Sequence, residues 1–162
     1  MNRLNVFNNP KLPLKYPENW IKTFRMFRRS FKYAYQRITR GYSDSDLWDF
    51  DTYLLELFTH GLSDFADRTI GYPGDDEFPT YESWTKFLHE LALHFLKANE
   101  CNDYFPHPAQ DAWWNELYNC NKASDEKVAA MIKESNEIAL HREEELNIGL
   151  NKLKHIFFHL WD

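Results

Sequence analysis

The sequence has few of the features that mark membrane, disulfide-rich or low-complexity proteins. No run of about eighteen apolar residues occurs in the 162 residues, so we expect no membrane-spanning helix. The two cysteines, Cys101 and Cys120, are too few for a disulfide framework and match no zinc-binding spacing. Five glycines and seven prolines argue against a loop-dominated chain. Because the first residues do not resemble a signal peptide, we expect a cytoplasmic protein with reduced thiols.

Recognisable catalytic motifs are also lacking. The chain has no phosphate-binding P-loop, no dinucleotide-binding glycine motif and no nucleophile elbow. His89 and His94 lie five positions apart, whereas a helical zinc-protease motif needs two histidines four apart on one face. We therefore predict no cofactor and no metal centre of these kinds.

Aromatic residues and an uneven charge distribution stand out among the features that are present. Aromatic residues make up 17% of the chain, which indicates a core or an interface built from rings. Residues 1–40 contain ten Lys or Arg and one acid (net +9), whereas residues 41–162 contain nine basic and twenty-four acidic residues (net −15). This asymmetry predicts an acidic body and a basic element that packs on it or faces an anionic partner.

Apolar residues recur at helical spacing along nearly the whole chain, and no strand pattern is convincing. The pattern predicts an all-α fold, an irregular bundle of about five helices with a long C-terminal helix. We expect an extended N-terminal arm over residues 1–16 and a single helical domain over 17–162. The helices are predicted over 17–40, 46–68, 80–99, 109–120 and 124–161.

The first predicted helix is strongly amphipathic and basic. We interpret its apolar face as a core face whose neighbouring cations pair with acids of the body. Two alternatives stay open: a nucleic-acid or other anion-binding surface, and a helix for a membrane surface or a partner groove. The apolar face is formed by Trp20, Phe24, Phe27, Phe31, Tyr35 and Ile38, and the candidate anion-binding residues are Arg25, Arg28, Arg29 and Lys32.

The last predicted helix is too long for a domain of this size. About 38 residues would span roughly 57 Å at 1.5 Å per residue. It is therefore expected either to bend near residues 141–149, where the sequence is polar, or to project and pair with a second chain. Projection would make a homo-oligomer through the C-terminal helix.

Residues 40–51 combine a helix end, a helix start, four aspartates and aromatic residues. Gly41 suits the left-handed position that ends a helix. Asp46 is predicted to cap the second helix, with Asp49 as a partner in a capping-box-like arrangement. Arg40 is expected to pair with Asp44 or Asp51 and so to fix the angle between the two helices.

The pattern Arg-Gly-Tyr-Ser-Asp-x-Asp-x-Trp-x-x-Asp-x-Tyr at 40–53, Gly-Tyr-Pro at 71–73 and Leu-Trp-Asp at 160–162 resembles a family of small uncharacterised proteins of tailed bacteriophages. The family often has His before Gly-Tyr-Pro, where this chain has Ile70. The resemblance implies a phage origin and action in the host cytoplasm, but it implies no activity.

These features lead to three functional hypotheses. The first is a non-enzymatic binding protein that acts on a host protein or in phage assembly. The second is nucleic-acid binding through the first helix. The third is a magnesium-dependent all-α nucleotide pyrophosphohydrolase, with paired carboxylates on two helices as weak metal-ligand candidates. The binding-surface candidates are Arg40, Tyr42, Asp44, Trp48, Asp51, Tyr72 and Trp114, and the weak metal candidates are Asp64, Asp67, Glu134 and Glu137.

Overall fold

A computed structural model describes the backbone of residues 17–120 and 123–160 and the side chains of 24–120 and 123–160. The arm predicted for residues 1–16 lies outside the described residues. The described residues form five α-helices, two short 3₁₀ helices and no strand, which confirms the all-α prediction. The chain divides into two compact units, Met1–Leu54 and Leu55–Asp162. The helices are α1 (Pro17–Arg40), α2 (Phe50–Arg68), α3 (Tyr81–Ala98), α4 (Pro108–Cys120) and α5 (Asp125–Ile156).

The first unit contains α1, the turn that follows it and the start of α2. α1 ends at Arg40 as predicted, because Gly41 has a φ of +80°, which side chains with a Cβ rarely adopt. The Gly41 amide closes the helix by donating to the Arg37 carbonyl at 2.9 Å. The Tyr53 hydroxyl of α2 donates to the Gly41 carbonyl at 2.6 Å, which joins the helix end to the next helix within this unit.

The start of α2 differs from the prediction. The second helix was expected to begin with Asp46 as its cap, but α2 begins at Phe50 and residues 44–49 form turns. The Asp46 carboxylate accepts hydrogen bonds from the Ser43 amide and Arg37 instead of capping a helix. Tyr53 donates its amide to the Asp49 carbonyl at 3.0 Å, so the helical bonding starts three residues later than expected.

The second unit holds the hydrophobic core. Its centre is the apolar face of α3, where Trp84, Leu88 and Phe95 are almost completely buried. The rings of Phe78 and Trp84 contact edge to face, with centroids 4.9 Å apart. The cluster also draws on α2, on the loop before α3 and on the end of α5. Its members are Leu62, Ala66, Phe78, Trp84, Leu88, Leu91, Ala92, Phe95, Leu153 and Ile156.

α3 begins where the sequence predicts. The Thr80 hydroxyl accepts the Ser83 amide at 3.2 Å and the Ser83 hydroxyl accepts the Thr80 amide at 3.3 Å, which is a reciprocal capping box. This arrangement satisfies two backbone donors that the first turn of a helix leaves unpaired.

α5 is one continuous 32-residue helix, about 48 Å long at 1.5 Å per residue. It runs without a break through residues 141–149 and packs against α3 and α4. Gly149 allows the closest approach, because an added Cβ would lie 3.1 Å from a ring carbon of Phe95. The helix ends at Ile156, earlier than predicted, and a 3₁₀ turn follows over Phe157–His159. None of the helices in the described part of the chain is both long and apolar enough to cross a membrane.

Candidate interaction surface

The turn after α1 is attached to α1 by its aspartates. The Asp44 carboxylate accepts hydrogen bonds from Lys32, Gln36 and Arg40, each at 2.8 Å. The Gln36 side chain also accepts the Asp44 amide at 2.9 Å. These three donors hold the pKa of the Asp44 carboxyl far below its usual value, and of the two predicted pairings for Arg40 the structure contains the one with Asp44.

Asp46 makes the more buried contact of the same turn. Its carboxylate pairs with the Arg37 guanidinium through two nitrogens and accepts the Ser43 amide at 2.7 Å. Burial raises the pKa of this carboxyl, but the bonds from Arg37 and Ser43 outweigh burial and the pKa is lowered. Asp46 is therefore ionised at neutral pH and fastens the turn to α1.

These contacts determine which face of α1 is covered. Lys32, Gln36 and Arg37 belong to its polar side, and that is the side that meets the aspartates of the turn. In an ordinary amphipathic helix of a globular protein the apolar face packs inward and the polar face meets water. Within the first unit, α1 has the reverse arrangement.

The apolar face of α1 is exposed. Its five described members have between 62% and 84% of their surface open to solvent, so the prediction of a core face is wrong for these residues. They recur every three or four residues and form one continuous line along the helix. We call this line the apolar stripe; it consists of Phe24, Phe27, Phe31, Tyr35 and Ile38. Trp20, predicted on the same face, lies outside the described side chains.

The turn carries a second exposed aromatic group. Trp48 is 89% exposed, although it lies next to the most tightly bonded residues of the unit. Tyr42 is partly exposed, and the Arg40 guanidinium lies 5.3 Å from the centre of its ring. Asp51 is exposed in the first turn of α2, where its charge opposes the helix dipole. Of the predicted binding residues of this unit, Arg40 and Asp44 are thus bonded to each other, Tyr42 and Trp48 are exposed rings, and Asp51 is an exposed carboxylate.

The four candidate anion-binding residues on α1 are all exposed, and two of them, Arg25 and Arg28, have no partner among the residues whose side chains the structure describes. Lys32 is bonded to Asp44, and Arg29 donates to the Tyr33 hydroxyl at 3.3 Å. Arg25 and Arg28 have no ion pair or hydrogen bond with any described residue.

The remaining binding-surface candidates, Tyr72 and Trp114, belong to the second unit. Tyr72 is exposed in the loop before α3 and lines a cavity of about 180 Å³ with Pro73 and His159. Trp114 is partly exposed on α4, and its ring contacts that of Trp113 with centroids 4.6 Å apart. A single surface that includes them and the motif of residues 40–51 stays a prediction.

The candidate magnesium ligands are engaged in other contacts. Both oxygens of Glu134 accept backbone amides at the start of α4, from Ala109 at 2.9 Å and from Gln110 at 3.0 Å. Asp67 lies beside His89 at 3.2 Å. Asp64 and Glu137 form exposed ion pairs with neighbours on their own helices. Among the described residues, no group of three or more His, Cys, Asp or Glu side chains is placed to hold a metal ion.

Sequence reasoning missed the outward direction of the apolar stripe and a cavity beside Asn99. The charge pattern carried a signal for the first, because four aspartates within eleven residues after a basic helix favour contacts with its polar side. Comparison of the chain with protein-family models, curated proteins and solved structures gives no match in any of the three.

Proposed function

We propose that the chain is a phage-encoded, non-enzymatic binding protein whose α1 helix inserts its apolar stripe into a groove on a host or phage protein. The main support for this proposal is the reversed packing of α1. The acidic turn contacts the polar side of the helix, and the apolar stripe is exposed to solvent. Exposed rings in one continuous line are costly in water unless a partner covers them. The motif resemblance supports the phage origin and, with it, the host cytoplasm as the place of action.

The proposed mode is recognition of a helix by a groove. Such helices present apolar anchors at positions i, i+3 or i+4 and i+7, which is the spacing of Phe24, Phe27 and Phe31. Arg25 and Arg28 flank these anchors and have no intramolecular partner among the described residues. The complementary groove is therefore apolar at its base and acidic at its rim. Trp48 supplies an additional anchor of the kind that dominates protein interfaces.

A site-specific photo-crosslink tests this function. A photoreactive phenylalanine derivative replaces Phe31 on the stripe or, as a matched control, the neighbouring Ser30, which is exposed and bonds its own helix at Met26. Both proteins are irradiated in nuclease-treated lysates of infected and uninfected host cells. We expect a discrete protein adduct from position 31 and little from position 30. Equal adducts from both positions, or none from either, would contradict the proposal.

Nucleic-acid binding through α1 is the second candidate function. It is favoured by Arg25 and Arg28, which have no partner among the described side chains and alternate with exposed rings that could stack on bases. It predicts that adducts from position 31 disappear after nuclease treatment. It also predicts an affinity that falls steeply with salt, because bound phosphates release counterions.

Self-association through α5 is a separate proposal. α5 exposes Ile132, Leu140 and Ile148, although other parts of it pack on α3 and α4. Light scattering of the purified chain checks it: a mass that is a multiple of 19.6 kDa and that falls when Leu140 is replaced by Glu would support a homo-oligomer through this helix.

A further inference from the structure

The second unit contains a cavity of about 160 Å³ between the segment after α3, α4 and α5. This is many times the roughly 10–15 Å³ that one water needs. The walls combine two rings, Tyr104 and Phe105, with polar and charged side chains. The polar residues that matter here are Asn99, Gln110, Ser135 and Arg142.

Asn99 contributes a buried hydrogen-bond donor that no described residue satisfies. The residue is only 1% exposed. Its Oδ1 accepts the Cys101 amide at 3.0 Å, which caps the 3₁₀ turn Glu100–Asn102 and fixes the orientation of the side-chain amide. Its Nδ2 is therefore a donor, and it has no hydrogen-bond partner among the described residues. A buried donor without a partner costs on the order of 1–3 kcal/mol, so an acceptor that reached it would bind favourably.

Arg142 supplies a second donor beside it. Its Nε donates to the Ala98 carbonyl at 3.0 Å and its Nη1 to Glu100 at 3.2 Å, which holds the guanidinium in place. Its Nη2 makes no bond to the described residues. Lys97, by contrast, is bonded to Glu145 at 2.9 Å, so its charge is already matched. Carboxylates of Glu100 and Asp103 also line the cavity, but Glu100 is bonded to Arg142. Asn99 Nδ2 and Arg142 Nη2 are two donors without a partner among the described residues, and such donors favour a ligand with acceptor oxygens.

The segment that forms the cavity is held in a strained turn. Asp103 has a φ of +48°, the one left-handed residue other than glycine in the described chain. This turn places the rings of Tyr104 and Phe105 in edge-to-face contact, with centroids 5.4 Å apart. Phe105 also stacks on His141 of α5. A backbone strain of about 1–3 kcal/mol at a cavity wall is a recurrent property of ligand sites.

We propose that this cavity binds a small planar carboxylic acid. The carboxylate would accept hydrogen bonds from Asn99 Nδ2 and Arg142 Nη2, and the planar part would lie against the rings of Tyr104 and Phe105. The site is independent of the apolar stripe, because every residue that forms it belongs to the second unit. It would make the chain responsive to a metabolite as well as to a protein partner.

Benzoate is the probe for this site. The side-chain amide signals of Asn99 are followed by ¹H–¹⁵N NMR during titration of the full chain with benzoate, with benzyl alcohol as a neutral probe of similar shape and inorganic phosphate as an oxyanion without a ring. We expect a saturable shift with benzoate and none with benzyl alcohol. No saturable shift with benzoate, or an equal response to benzyl alcohol or phosphate, would overturn the proposal.

Asn99→Asp is the decisive variant. It keeps the acceptor that caps the 3₁₀ turn but replaces the free donor with a negative charge, so we expect benzoate affinity to fall at least about tenfold. Asn102→Asp is the matched control, because it makes the same charge change three residues away on a side chain outside the cavity lining. If Asn99→Asp fails to fold, Arg142→Gln gives the same test. Unchanged affinity in a folded Asn99→Asp or Arg142→Gln protein, or an equal loss in Asn102→Asp, would contradict the site.

Discussion

α1 and α3 are both amphipathic helices rich in aromatic residues, but they direct their apolar faces in opposite ways. α3 buries Trp84, Leu88 and Phe95 in the core of the second unit. α1 leaves Phe27, Phe31 and Tyr35 exposed, while aspartates of the following turn hold its polar side. The helical spacing of apolar residues therefore identifies an apolar face, but it does not identify what covers that face. What covers it depends on which neighbours offer apolar contacts and which offer charge.

The largest expected difference between the two helices is in their response to loss of a ring. Phe95→Ala removes a fully buried side chain and leaves a cavity, so we expect unfolding to become easier by about 3–5 kcal/mol. Phe31→Ala removes an exposed ring, and we expect a change within about 0.5 kcal/mol. Urea unfolding of both variants measures the two values. Similar losses would mean that the stripe is part of a core.

The ion pairs that hold the turn to α1 should differ in how much they stabilise it, according to how buried each pair is. Arg37→Met leaves the mostly buried Asp46 carboxylate without its cation, and we expect the turn to lose about 2–3 kcal/mol. Arg40→Met makes the same change at a pair that is nearly half exposed, where we expect less than about 1 kcal/mol. Hydrogen exchange at the Tyr53 amide measures the free energy of opening of the turn in each variant. Equal effects of the two substitutions would show that burial of Asp46 does not govern the turn.

The turn should also weaken in acid. The pKa of the Asp46 carboxyl is lower in the folded chain than its ordinary value of 3.8, so the stabilisation it gives is complete well above pH 3.8 and is lost as pH falls below that value. The slope for one carboxyl is at most about 1.4 kcal/mol per pH unit. Asp46→Asn should reduce this dependence at the Tyr53 amide, and the remainder is expected from Asp44, whose pKa is lowered too. A dependence as steep in the variant as in the parent would assign the acid sensitivity to another group.

A smaller contrast tests the packing of α5 against α3. Gly149→Ala places a Cβ 3.1 Å from the buried Phe95 ring, and we expect a net loss of about 1 kcal/mol despite the better helix propensity of alanine. Gly61→Ala on α2 is the matched control, because nothing lies within 4 Å of its Cβ position, and a gain of about 0.5–1 kcal/mol is expected. Thermal unfolding of the two variants shows whether each substitution stabilises or destabilises the chain. A gain at Gly149 would mean that the contact with Phe95 is loose.

Local signals in the sequence predicted much of the fold. The α1 end at Gly41 and the α3 start at Thr80 follow from backbone chemistry that a few neighbouring residues determine. The start of α2 could not be predicted in this way. Asp46 suits a helix cap equally well, but Arg37, nine residues away, provides a stronger partner for its carboxylate.

The candidate sites were harder to predict because they depend on contacts between distant residues. Spacing alone made Glu134 a possible metal ligand, whereas the fold places it against the amides of Ala109 and Gln110. Nothing in the local sequence of Asn99 indicates that its amide nitrogen lacks a partner, since this depends on α5. The Arg40–Asp44 pair was one of the two predicted pairings of Arg40, because its two members lie only four residues apart, on either side of the helix end.

The most direct test of the account is quantitative capture by a Phe27→Ala/Phe31→Ala protein. Tagged parent and variant, each shown to be folded, are incubated with nuclease-treated host lysates. The amount captured is then measured for the partner protein that the photo-crosslink at position 31 of the parent chain identifies. Ser30→Ala/Thr39→Ala is the matched control, because both hydroxyls bond only carbonyls of α1. The account predicts at least about a tenfold loss of capture in the stripe variant and little change in the control. Equal capture by all three proteins would contradict a binding role for the apolar stripe.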